Sequence, residues 1–80
     1  MGLNLIIPGE SLTAVTPNDS TNLTSPTRAI YVGTSGDLKI IDIAGNTVTL
    51  VSLAAGIFHP IRAVRIFSTD TTADDIVAVL

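Results

Sequence analysis

The sequence predicts an all-β fold, a small antiparallel β-sandwich or β-barrel with an extended N-terminal arm. Three observations carry this reading. Ile, Val and Thr account for 28 of the 80 residues (10, 7 and 11), and a forked Cβ packs well on a pleated sheet but loses rotamer freedom in a helix. From residue 28 onward, short apolar runs alternate with turn signals at roughly the 8–12-residue spacing of small antiparallel folds. Pro8, Pro17 and Pro26 all fall before that point, each removing a backbone donor and restraining the residue before it. The chain divides into an arm, residues 1–27, and a core, residues 28–80.

In the arm, Leu12, Val15 and Leu23 stand as spaced apolar anchors among Ser, Thr, Asn and Pro. An arm this long on so small a core needs a surface to lie on, a shell or a neighbouring subunit. On that division, removing residues 1–25 leaves the core foldable and weakens attachment. The first core strand is 28–33, with Ile30 and Val32 on one face and Ala29 and Tyr31 on the other. A tight turn follows at 34–37, where Gly36 supplies a positive φ. Strand 38–43 alternates Leu38, Ile40 and Asp42 against Lys39, Ile41 and Ile43, so both faces carry apolar groups. Ala44-Gly45-Asn46 closes a hairpin onto strand 47–53, which sets Val48 and Leu50 against Thr47, Thr49, Val51 and Leu53. After Ala54-Ala55-Gly56, residues 57–67 form the longest candidate strand, interrupted by Pro60 at an edge, a bulge or a strand start. A polar loop at 68–75 leads into a closing strand, 76–80.

Size and charge narrow the function. A single domain of 8.3 kDa buries only about 60–65% of its extended surface. The absence of cysteine removes disulfides and thiolate metal sites as staples. Oligomerisation or docking is the remaining remedy, and it hides apolar surface as well. Seven acids against four bases give a net charge of −3, which argues against nucleic acid as a partner. Residues 1–7 lack a basic residue and their apolar run is broken by Asn4 and ended by Pro8, so no signal peptide is expected; no 18 consecutive apolar residues occur, so no membrane span is expected.

The chemistry-bearing residues point to contacts rather than to catalysis. His59 stands between Phe58 and Pro60 with no carboxylate within ten residues, whereas a general base needs an orienting partner. Asp70, Asp74 and Asp75 lie among threonines without the spacing of a calcium loop. Gly33-Thr34-Ser35-Gly36 lacks the lysine and following helix of a phosphate cradle. No enzyme activity, metal or cofactor is expected. Arg28, Arg62 and Arg65 hold three of the four positive charges and are suited to clamp carboxylates on a neighbouring subunit or partner. Tyr31 and Phe67 are assigned to core or interface. Tyr31 with Asp70 or Asp74 is the one set that would serve a carbohydrate- or receptor-binding module.

Several segments in order resemble a known family: Pro26-Thr27-Arg28-Ala29-Ile30-Tyr31-Val32-Gly33, Gly36-Asp37, Gly45-Asn46-Thr47-Val48-Thr49-Leu50, Ala55-Gly56-Ile57-Phe58-His59-Pro60-Ile61-Arg62, Val64-Arg65-Ile66 and residues 71–80. Together they are similar to the head spike base proteins of phages and gene transfer agents, over residues 14–80. The resemblance implies a virion structural protein on the capsid surface, assembled in the host cytoplasm and forming a homo-oligomer, a pentamer at the vertices. Its implied partners are the major capsid protein and a spike or fibre protein, with no enzymatic activity or cofactor. A tail or neck adaptor is the alternative placement, since one β-module is reused at several positions on a particle.

Overall fold

The computed structural model describes residues 12–80. Seven strands follow in order: β1 (Leu12–Ala14), β2 (Ala29–Thr34), β3 (Gly36–Asp42), β4 (Thr47–Leu53), β5 (Phe58–His59), β6 (Ala63–Ile66) and β7 (Asp74–Val79). They build a four-stranded sheet, β1-β7-β2-β5, and a three-stranded sheet, β4-β3-β6. Every pairing is antiparallel. One core lies between the two: Ile30, Val32 and Ile76 enter it from the four-stranded sheet, and Leu38, Ile40, Ala63 and Ile66 from the three-stranded one. The all-β sandwich is therefore formed by the alternation expected for β2 and β3, with Ile30, Val32 and Leu38 wholly buried.

Three local expectations are corrected. The 34–37 segment does not use Gly36 for a positive φ, since among the described residues the glycines with positive φ are Gly45 and Gly56. It carries the chain from one sheet to the other, and Gly36 is needed for closeness instead: a Cβ there would lie 2.5 Å from the Ala73 backbone nitrogen. The long strand 57–67 is split at Pro60 into β5, which pairs with β2, and β6, which pairs with β3. Proline lacks the donor that one continuous ladder would require.

The third correction is in β4, where Leu53 does not follow Val51 onto the outer side. The register advances from Leu38↔Leu50 to Gly36↔Leu53, so one extra residue is bulged out. Ser52 takes a φ of 56°, and its N–H donates to Asp37 Oδ1 at 2.9 Å. The bulge turns Leu53 back toward the core beside Leu50.

The arm is bound into both sheets by this chain's own contacts. β1 pairs with β7 in the register Leu12↔Val79, Thr13↔Ala78 and Ala14↔Val77. The chain then crosses to the three-stranded sheet and runs along the outer edge of β6. There the N–H groups of Asn18, Leu23 and Thr27 donate to the carbonyls of Ile66, Val64 and Ala63. Val15 and Leu23 pack against the core. Thr27 is fully buried; its hydroxyl donates to the Ile61 carbonyl at 2.6 Å and accepts from the Ala63 N–H at 2.9 Å. Removal of residues 1–25 would therefore take away β1 and the packing of Val15 and Leu23 against the core.

Candidate assembly surfaces

The two outer faces of the sandwich differ in kind. On the four-stranded sheet, alternation puts Ala14, Val77, Tyr31 and Phe58 in one row, through the pairings Ala14↔Val77, Tyr31↔Val77 and Tyr31↔Phe58. Leu12 and Ala29 extend the same side. None of these side chains is charged. Leu12 is 59% exposed and Phe58 57%, and the Tyr31 and Phe58 rings pack tilted with centroids 5.2 Å apart. Such a patch is costly to leave in water.

The outer face of the three-stranded sheet carries the cations. Phe67 lies half-buried with the Lys39 ammonium 4.9 Å and the Arg65 guanidinium 5.6 Å from its ring centre, within reach of its negative face. Lys39 also pairs with the exposed Asp70 at 3.6 Å. Arg65 turns inward to this chain's own arm: Nε donates to Asn22 Oδ1 at 2.8 Å and a terminal nitrogen to the Asp19 carbonyl at 3.2 Å. Asp19 completes a clasp between arm and β6–β7 loop. Its carboxylate accepts from the Ser68 and Thr69 N–H groups and from the Thr69 hydroxyl. Those bonds, the Thr69 hydroxyl first, hold its pKa below the ordinary carboxylate value. The Asn46 N–H, foremost among several donors, does the same for Asp42 at the β3–β4 turn.

The sequence-derived candidates are thus dispersed. Arg28 and Arg62 are exposed, adjoin the Thr27–Ala63 hydrogen bond, and make no side-chain hydrogen bond or ion pair with the described residues. Arg65 is apart from them on the arm clasp. Tyr31 and Asp70 lie toward opposite outer faces, so the structure does not assemble a carbohydrate site from that pair. His59 is half-buried, with Nε2 2.8 Å from the Ala54 carbonyl to which it donates, a contact that holds the β4–β5 connection. Among the described residues, no group of three His, Asp or Glu side chains comes together. A shallow groove of about 220 Å³ opens between β1 and residues 22–24, walled by Val15, Leu23, Ala78 and Leu80.

Three residues outside the sequence-derived set matter more than several inside it. Phe58 forms the exposed half of the aromatic pair, and only the break at Pro60 hinted that it leaves the long strand. Thr27 and Asp19 tie the arm to segments 34 to 50 residues away, and their local sequence carries no sign of it.

No protein-family model and no curated protein sequence matches the chain. A solved structure does: a chain from the capsid of a native gene transfer agent particle, computed with C5 symmetry, superposes with a TM-score of 0.80 at 39% sequence identity. The match covers 96% of this chain and 89% of that one. With such identity over nearly the whole of both molecules, the chain belongs to the same family of capsid structural proteins as this gene transfer agent component.

Proposed function

We propose that the chain is a spike base subunit, which closes into a five-membered ring on the capsid surface and there receives a spike or fibre. The observation that carries this reading is its kinship with a chain of a C5-symmetric gene transfer agent capsid. The two unlike faces support a two-sided role. The uncharged face of Leu12, Ala14, Ala29, Tyr31, Phe58 and Val77 is assigned to the major capsid protein. The Lys39–Phe67–Arg65 face is assigned to the outward partner. Of the arm anchors, Leu12 joins the capsid contact, while Val15 and Leu23 hold the arm to its own core. Arg28 and Arg62 are assigned to acidic groups of a neighbouring subunit or partner.

The role is mechanical. A specific contact buries roughly 800 Å² per partner, and repetition around a closed ring multiplies the hold through effective concentration. Co-sedimentation with capsids tests the reading. The wild-type protein sediments with the particles, and Phe58→Asp, at an exposed position, keeps its far-ultraviolet circular dichroism but loses at least about tenfold in attachment (on the order of 1.4 kcal/mol). Undiminished attachment of the variant overturns the face assignment. A wild-type protein that does not sediment with capsids overturns the role.

A further inference from the structure

Among the described residues, each sheet of the sandwich ends in a strand with one edge unpaired, and the two longest such edges lie on opposite flanks. β4 is the terminal strand of the three-stranded sheet and β1 of the four-stranded one. β4 shares its flank with β5, to which residues 54–57 connect it. That connection is held by the Gly56 N–H donating to the Val32 carbonyl. β1 lies on the other flank, where the arm leaves it to run beside β6.

Apart from the bulge at Ser52, the β4 edge lacks the devices by which proteins guard an open strand. Those devices are charge, proline and a short or twisted edge. β4 has seven residues, Thr-Val-Thr-Leu-Val-Ser-Leu, and no Asp, Glu, Lys or Arg occurs anywhere from residue 43 to 61. Val51 is 70% exposed. The bulge at Ser52 lies at the far end and leaves Thr47–Leu50 in regular register with β3. β1, Leu-Thr-Ala, is likewise uncharged and exposed, and its outer edge pairs with nothing among the described residues.

We infer that the β4 edge of one copy pairs, backbone to backbone, with the β1 edge of the next copy around the ring. This rests on the ring proposed above and names the surface that closes it. A cyclic assembly needs two different patches that meet head to tail; an isologous β4–β4 contact would stop at a dimer. Two open, uncharged edges on opposite flanks meet that requirement, and strand addition supplies main-chain hydrogen bonds without a new pocket. Each closed ring consumes both edges of every subunit, which removes the aggregation hazard they present in the free chain.

The absence of native cysteine makes a thiol test clean. Ala14→Cys on β1 and Thr49→Cys on β4 are made singly and together, then treated with a short bis-maleimide both free and on capsids. The double variant gives a covalent ladder beyond the dimer, ending at five subunits, and each single variant stays monomeric on a denaturing gel. In parallel, Val48→Lys places an ammonium on the open edge strand at a position 38% exposed in the subunit, which an incoming strand would cover. That variant keeps its fold by circular dichroism and shifts from ring to monomer in native mass measurement. Dimers from Thr49→Cys alone, or an intact ring in Val48→Lys, overturn the inference. Protein that sediments with capsids but yields no ladder overturns the edge pairing and leaves the spike base role standing. Protein that neither sediments nor cross-links overturns both.

Discussion

The two edges of the three-stranded sheet are finished in opposite ways. β6 is short, carries Arg65, and is covered by residues 18–27 of the same chain through three backbone N–H groups, the buried Thr27 hydroxyl and the Asp19 clasp. β4 is nearly twice as long, carries no charge and has nothing against its outer side among the described residues. The covering of β6 is irregular: its donors are residues 18, 23 and 27, too unevenly spaced for a ladder and pinned by side chains that leave no register to slip into. The β4 edge is regular, so a strand can be added to it. An edge sealed by specific side chains belongs to the fold, and an edge left regular and uncharged is available to another chain.

The largest expected effect that would break this contrast comes from removing residues 1–25. The loss of β1, of Val15 and Leu23 against the core, and of the Asp19 clasp abolishes a cooperative urea transition followed by circular dichroism. A truncated protein with the wild-type midpoint would show the β6 flank to be as dispensable as the β4 flank. A smaller effect is expected from Thr27→Val, which keeps the shape but leaves the Ala63 N–H and Ile61 carbonyl without their partner. It destabilises by about 2–4 kcal/mol. The matched change on the bare edge, Thr49→Val, stays within about 0.5 kcal/mol, both read from urea midpoints at constant slope.

The smallest effect is electrostatic. Because hydrogen bonds lower the Asp19 pKa in the folded state, its contribution is complete above the ordinary carboxylate pKa of about 4. It is lost as pH falls through the lowered folded value. Wild type therefore exceeds Asp19→Asn in stability near neutrality, and the difference shrinks on acidification below pH about 4. A difference that is constant with pH would remove the charge from the clasp.

Much of the strand pattern was legible because it is local. Ile30 and Val32, and Leu38 and Ile40, announce a buried face by period-two alternation, and Gly45 marks the β3–β4 turn where its φ of 90° is required. The failures are long-range. Alternation places Leu53 on the outer side, and a one-residue bulge inverts the parity of all that follows it. Phe58 lies in the long candidate strand 57–67, and only the second sheet shows where the chain goes after β5. Pro and Asn in the arm argue against a ladder and carry no hint that Thr27 is fully buried.

The class is written in local chemistry: β-branched residues, alternation and turn residues act over a few positions and leave no competing helical solution. The same composition leaves apolar surface over on so small a chain. Which sheet each strand joins, which edge the arm closes and which it leaves bare emerge with the packed fold. Those choices rest on contacts such as Asp19 to Thr69 and Thr27 to Ala63, 50 and 36 residues apart. Hydrogen-bond geometry between distant segments is satisfied only once the chain has folded, and no local preference encodes it.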